Sequence, residues 1–139
     1  MTDYGKMLKH ATNQMNRAMD QYARQFGVTG VQMSILDYLG SHGNVLQHDI
    51  EVEFAIQRST MTVTLQRMEK AGLIYRTESA KDARQKTVNM SAKAQPIQNR
   101  ASAYIQGQQQ AMQQKFSSAE LRQFEQVLEY FIKLNGSEN

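Results

Sequence analysis

The chain has 139 residues, 40% of them hydrophobic and 21% charged, which is enough for one domain with its own core. No run approaches the roughly 18 apolar residues of a membrane span, and the absence of cysteine excludes a disulfide framework, a thiolate metal site and a thiol redox switch. The net charge of +3 is unevenly placed: Ala55 to Met90 hold seven cations (Arg58, Arg67, Lys70, Arg76, Lys81, Arg84, Lys86) against three acids (Glu69, Glu78, Asp82), so this span carries +4 and the remainder −1.

The first predicted element is a long helix. Tyr4, Met7, Leu8, Ala11, Met15, Ala18, Met19, Tyr22 and Phe26 recur at steps of three and four, one apolar stripe over about six turns, and Gly27 ends it. A stripe of that length exceeds what one small domain covers, so part of it is expected to meet a second chain. No apolar signal run follows Met1 to Lys6, and a cytoplasmic protein is expected. Thr29 then reads as the N-cap of a second helix, with Gln32 completing a capping box. Ile35, Leu36 and Leu39 form its apolar face, and Gly40 to Asn44 break it.

His48 to Ala55 alternate polar and apolar, the signature of a half-buried strand, although Ile50 and Phe54 also make an i, i+4 pair suited to a helix. From Gln57 the pattern is clearer. Met61, Leu65 and Met68 share one helical face, while Arg58, Ser59, Thr62, Val63 and Gln66 share the other, a set able to reach base edges and phosphates in a major groove. Gly72 supplies a left-handed stop. Leu73 to Thr77 read as a strand, Ser79 to Gln85 as a turn and Lys86 to Met90 as a returning strand. A helix with a polar, hydroxyl-rich outer face followed by a basic hairpin is the outline of a winged helix-turn-helix, and the charge is concentrated where such a fold meets duplex DNA.

Beyond the hairpin, Ser91 is placed to cap a helix whose first turn tolerates Pro96. Ile97, Ala101, Tyr104, Ile105, Gln108 and Met112 line one side of it. The Gln-biased run Gln106 to Gln114 reads as wet helix surface. Ser117 and Glu120 make another capping box, opening a last helix with Leu121, Phe124, Val127, Leu128, Phe131 and Ile132 on its apolar face.

From Leu46 to Ala94 the chain resembles, without a gap, the MarR (multiple antibiotic resistance) regulators. The likeness rests on Ser59-Thr60-Met61-Thr62, on Leu65, on Met68-Glu69-Lys70-Ala71-Gly72-Leu73-Ile74 with Arg76, on Asp82-Ala83-Arg84 at the wing tip, and on Val88-Asn89-Met90-Ser91. It implies a mainly α (α+β) fold, a winged helix-turn-helix with long terminal helices forming a dimerisation domain. Residues 1–139 would be one such domain, with 28–91 the DNA-binding lobe and 1–27 and 92–139 the helices that interlock with a second copy. It also implies that the alternating segment is the first helix of the helix-turn-helix. The chain departs from the family at Glu51, where relatives usually carry a small Ala, at Gln57, the usual Ser N-cap, and at Ala55, the usual turn Gly. These departures bear on the helix-turn-helix angle and hence on docking.

The function implied is that of a homodimeric transcription regulator on a pseudo-palindromic operator in double-stranded DNA, a repressor relieved by a small aromatic or phenolic effector. Arg84, on a narrow wing tip with no core to pack against, is expected in the minor groove, where a narrow groove concentrates negative potential. Asp82 would fix its guanidinium, and Arg76 would support the wing. Lys81 and Lys86 suit phosphates. Arg58 and Gln66 suit bases or phosphates. Ser59, Thr62 and Val63 either read bases or, for Ser59, Thr60 and Thr62, satisfy helix-start donors. Arg67 either meets a phosphate or pairs with Glu69 or Glu53. For the effector, the family's site implies walls from Met15, Met19 and Leu36, with Arg17 from a second copy and the Tyr38 hydroxyl as polar groups.

Other classes find little support. His10, His42 and His48 without cysteine make no zinc site, and neither a metal nor a cofactor is expected. The nine methionines read as core rather than as an oxidation sensor. No Gly-x-Ser-x-Gly, HExxH or phosphate-cradling glycine loop points to an enzyme. The alternative is a helical dimeric module that engages protein or RNA. Sequence-specific RNA readers stack bases on exposed aromatics, and residues 55–90 offer only Tyr75. A preference for duplex DNA carrying an inverted repeat separates the two readings.

Overall fold

Local chemistry sets the helix starts and stops in the computed structural model, which describes residues 1–82 and 84–136. α1 (Tyr4–Ala23) opens at Asp3, whose carboxylate accepts the Lys6 N–H at 3.0 Å, and a 3-10 turn (Arg24–Phe26) leads to Gly27 in the left-handed conformation. The expected capping box opens α2 (Gly30–His42): the Thr29 hydroxyl accepts the Gln32 N–H at 3.1 Å, and the Gln32 side chain accepts the Thr29 N–H at 3.1 Å. α2 comes close to α1 at Gly30, where a Cβ would lie 2.7 Å from the Asp20 carboxylate and 2.9 Å from its backbone nitrogen. The same carboxylate accepts the Gly30 N–H at 2.6 Å.

The alternating segment is helical, as the family resemblance implies: after the short strand β1 (Val45–Leu46) comes α3 (Gln47–Phe54). Ile50 is fully buried and Phe54 half-buried, whereas Val52 is exposed. The i, i+4 pair therefore faces the core, and the alternation has no second apolar position to satisfy. Asp49 accepts the Leu46 N–H at 3.0 Å at the helix start. α3 closes on Ala55, whose φ of 50° and ψ of 46° are left-handed, with the Ile56 N–H reaching the Glu51 carbonyl at 3.1 Å.

α4 (Arg58–Lys70) follows, with Met61, Leu65 and Met68 fully buried as the periodicity predicts. It ends in a Schellman arrangement: the Leu73 N–H bonds the Met68 carbonyl at 2.9 Å, the Gly72 N–H bonds the Glu69 carbonyl at 3.0 Å, and Gly72 has a φ of 77°. The hairpin strands β2 (Ile74–Glu78) and β3 (Lys86–Met90) are antiparallel in the register Ile74 to Met90 through Glu78 to Lys86, and β1 pairs with the far edge of β3 to give the order β1-β3-β2. Ser91 corrects one expectation. Its hydroxyl caps no helix but donates to the Gly72 carbonyl at 2.6 Å, while Lys93 Nζ donates to the Ala71 carbonyl at 2.8 Å. A 3-10 turn (Ala92–Ala94) then leads into α5 (Gln95–Lys115), with Pro96 in its first turn.

The chain divides into two compact units, Met1–Ser102 and Ala103–Asn139, the division falling within α5. The first unit holds the core, where Met33, Ile35, Leu36, Ile50, Met61, Leu65, Met68 and Val88 are fully buried. The second comprises the rest of α5, including the Gln-biased run, and α6 (Ser118–Asn135). Its capping box is as expected: Ser117 accepts the Glu120 N–H at 3.1 Å, and Glu120 accepts the Ser117 N–H at 2.9 Å. On α6, Leu121, Leu128 and Phe131 are half-buried, and Phe124, Val127 and Ile132 are exposed. Among the described residues no helix is long and apolar enough to cross a membrane.

The left-handed backbone at Ala55 gives a stability test. That conformation costs an L-residue about 1–2 kcal/mol, and glycine escapes it while losing about 0.5–1 kcal/mol more chain entropy. Ala55→Gly should therefore stabilise the protein by about 0.5–1 kcal/mol, seen as a higher urea midpoint with an unchanged slope at fixed protein concentration. An unchanged or lower midpoint would show that Ala55 carries no strain.

Candidate nucleic-acid interface

Burial of Met61, Leu65 and Met68 turns the opposite face of α4 outward. Arg58, Ser59, Val63, Gln66 and Arg67 are exposed there, as expected of a reading face, and Thr62 is half-buried. Gln57 is the N-cap residue but makes no side-chain cap bond, and neither Ser59 nor Thr60 caps the helix. The alternative partners for Arg67 are not used: it makes no ion pair among the described residues, and Glu69 instead faces Arg76 Nε at 3.6 Å.

The wing is a polar, internally bonded hairpin. Asn89, buried on β3, donates to the Tyr75 carbonyl at 3.2 Å and to the Thr77 hydroxyl at 3.1 Å, and the Thr77 and Thr87 hydroxyls are 2.7 Å apart. At the tip the Ser79 N–H bonds the Gln85 carbonyl at 3.0 Å, and the Gln85 N–H bonds the Asp82 carbonyl at 3.0 Å. Asp82 holds Arg84 three ways: it accepts the Arg84 backbone N–H at 3.0 Å, Nε at 3.2 Å and a terminal guanidinium N–H at 3.2 Å. The Arg84 side chain is nonetheless 91% exposed, aimed but not covered. Ala83, between them in the sequence motif, lies outside the described residues. Lys81 and Lys86 are exposed on the same hairpin.

A cleft of about 370 Å³ joins these elements, lined by Leu46, Gln47, His48 and Glu51 of α3 and its approach, Arg58 of α4, and Arg76, Arg84, Gln85 and Lys86 of the wing. Four cations thus converge beside one acid. Gln47 organises the back of it. Its amide nitrogen donates to Glu51 at 3.0 Å and to the Thr62 hydroxyl at 2.9 Å, and its carbonyl oxygen accepts from the Arg76 guanidinium at 3.2 Å. The expected wing-supporting role of Arg76 therefore has a geometry, a bridge from β2 to α3 and α4. Sequence reasoning singled out Glu51 only as a departure and missed Gln47, which carries no motif.

The residues expected around an effector, with Arg17 expected from a second copy, have the following surroundings in the single chain. Arg17 is exposed and donates to Gln14 at 3.0 Å. Tyr38 stacks on His42 with ring centres 4.1 Å apart and meets the Phe54 edge at 6.0 Å. Burial pushes its hydroxyl above the ordinary tyrosine range, with Asp49 and Glu53 adding to the effect. Leu36, expected on a pocket wall, is fully buried in the core, Met19 is half-buried and Met15 is exposed. Among the described residues no group of three or more His, Cys, Asp or Glu could hold a metal ion.

An amphipathic reading helix, a left-handed turn before it and a basic antiparallel hairpin after it define a winged helix-turn-helix. A family model described as MarR family matches residues 26–85. The crystal structure of the transcription regulator MarR from Oenococcus oeni PSU-1 is 40% identical in sequence, with a TM-score of 0.80 over 94% of this chain and 99% of that one. The complex of MepR from Staphylococcus aureus with DNA is 23% identical, with a TM-score of 0.85 over 96% of this chain and 98% of that one, a likeness of fold. The homoprotocatechuate degradative operon repressor of Escherichia coli is 27% identical over 114 residues, 82% of this chain and 77% of its own. The chain belongs to the MarR family of transcription regulators.

The wing tip can be tested without DNA. The Arg84 guanidinium, and then its backbone N–H, hold the Asp82 carboxyl below its ordinary value. For a depressed carboxylate the bound form is complete above the ordinary value of about 3.9 and is lost as pH falls through the lower folded value. In an NMR titration Asp82 should accordingly protonate below the ordinary range, and Arg84→Ala should bring it back up. An ordinary value in the parent protein would refute the pairing.

Proposed function

We propose that this protein is a homodimeric, sequence-specific repressor on duplex DNA, with α4 in the major groove and the wing tip in the adjacent minor groove. The observation that carries the reading is the convergence of Arg58 from α4 with Arg76, Arg84 and Lys86 from the wing on one cleft. In this reading Ser59, Thr62, Val63 and Gln66 face base edges. Arg58, Arg67, Lys81 and Lys86 meet phosphates, and Arg84, oriented by Asp82, enters the minor groove. Residues 28–91 act as the DNA-binding lobe, and 1–27 and 92–139 supply the dimer helices. In support of the latter, Tyr4, Met7 and Met15 on α1 and Phe124, Val127, Tyr130, Ile132 and Leu134 on α6 are exposed apolar side chains within the single chain. A chromosomal target also makes the cytoplasm its place of action.

Selection from random duplexes should recover an inverted repeat with half-sites about 10 bp apart, one helical turn. Against that site, Arg84→Ala should weaken binding by roughly 1–3 kcal/mol. Lys86→Ala should instead lower affinity across all sequences and reduce the salt slope by about one unit. Recovery of no preferred sequence, or an Arg84→Ala protein of parental affinity at near-physiological salt, would reject the reading.

The effector belongs to the same proposal: an aromatic or phenolic acid, its carboxylate met by Arg17 and its ring substituent by the Tyr38 hydroxyl. Such a ligand releases DNA only by favouring a state whose two reading helices misfit the grooves. Titration with salicylate or related acids should weaken operator binding, and less so in Arg17→Ala. An operator affinity indifferent to every aromatic acid up to about millimolar levels would rule this site out.

A further inference from the structure

The Gln47 amide is satisfied on every side by groups of fixed polarity. On one side lies the Arg76 guanidinium, which can only donate; on another lies the Glu51 carboxylate, which can only accept while ionised. The amide must therefore present its carbonyl to Arg76, at 3.2 Å, and its NH2 to Glu51, at 3.0 Å. The second N–H of that NH2 points at the Thr62 hydroxyl oxygen, 2.9 Å away. Thr62 is thus forced to accept from Gln47. Its own hydrogen then has to go elsewhere, and among the described residues it meets no acceptor. The arrangement is well shielded, with the Glu51 side chain only 14% and the Arg76 side chain only 21% exposed.

We infer that Gln47 is a positioning residue for sequence reading: it orients the Thr62 hydroxyl and biases it toward donating to an acceptor on a base edge in the major groove. The inference rests on the DNA-binding reading above and deepens it. Guanine O6 and N7, adenine N7 and thymine O4 are the acceptors available there, whereas the amino groups of cytosine and adenine are donors. A freely rotating threonine hydroxyl accepts or donates with equal ease and discriminates weakly. One that already accepts from Gln47 has its rotor fixed, with its hydrogen unspent and one of its two lone pairs used, and so favours donation. Because Arg76 lies on β2 and Thr62 on α4, the same amide also ties the wing root to the reading helix.

The test uses the full-length protein and the base preferences of the parent from random-duplex selection. Thr62→Val and Gln47→Met should each lose discrimination at the same base position of each half-site, by about 3- to 10-fold, the range of one neutral hydrogen bond. The salt slope should not change, because no phosphate contact is removed. The double variant should lose no more than Thr62→Val alone, and Thr62→Ser should keep the preference. A Gln47→Met protein that keeps parental discrimination, or that loses affinity equally for every sequence, overturns the inference. If circular dichroism shows that Gln47→Met does not fold, the similarly sized Gln47→Glu decides. Its carboxylate accepts from Thr62, so the preference at that position should fall or pass to a donor base, and an unaltered preference overturns the inference. A parent that selects no sequence at all refutes the DNA reading itself, and is distinguished by failing before any variant is compared.

Discussion

Everything the reading face can do depends on the rotation of α4 about its own axis, and that rotation is set by three side chains. Met61, Leu65 and Met68 are fully buried, each worth roughly 1.5–3 kcal/mol relative to exposure. A turn of one residue would lift at least one of them into water and bury a charged or hydroxyl group in its place, at further cost. Steps of four and three between these positions leave a continuous outer strip through Arg58, Ser59, Val63, Gln66 and Arg67, all exposed. Recognition geometry is in this sense inherited from the core.

The rest of the lobe holds the two ends of that helix. At the C-terminal end the Schellman turn at Gly72 is clamped from the far side of the hairpin by Ser91 and Lys93, which bond the Gly72 and Ala71 carbonyls at 2.6 and 2.8 Å. These are carbonyls that no intrahelical partner could satisfy. Toward the N-terminal end Thr62 is tied through Gln47 to α3 and the wing root. Between the clamps, β2 and β3 carry Arg84 to the tip on a hairpin whose cross-strand polar contacts resist fraying. In the reading proposed above, a cation on such a support meets a groove at a defined offset from α4, which makes two separate contacts act as one surface.

Sequence legibility followed the range of the interaction. The capping boxes at Thr29/Gln32 and Ser117/Glu120, the stops at Gly27 and Gly72, and the inner face of α4 are local patterns, and each is present. The Asp82–Arg84 pair, two residues apart, was legible for the same reason. The alternation in 48–55 was ambiguous because a helix that buries Ile50 and exposes Val52 satisfies the same string; only packing separates the two readings. Ser91 looked like a cap because a hydroxyl before a helix reads the same whether it caps or reaches a carbonyl 19 residues earlier. Gln47 was invisible: two of its bonds cross 15 and 29 residues, and no periodicity encodes them.

The departures from the family pattern take on a common meaning in this light. A glutamate where relatives usually carry a small alanine would wedge α3 from α4 if its side chain ran into the crossing. Here the carboxylate runs along α3 instead, accepting from Gln47 at 3.0 Å and facing His48 at 3.7 Å. It therefore anchors the amide that orients Thr62, and it also sets one negative charge among the four cations of the cleft. Those two effects pull in different directions on binding. A fixed acid beside phosphate-seeking cations lowers the sequence-independent attraction that dominates affinity. A hydroxyl oriented and biased toward donation raises the discrimination that base contacts provide. The ratio of specific to non-specific binding is what allows a regulator to find one site among many competing ones. In the reading proposed above, the acid at position 51 lowers the attraction for every sequence alike and leaves that ratio to the base contacts, which the Gln47–Thr62 bond sharpens.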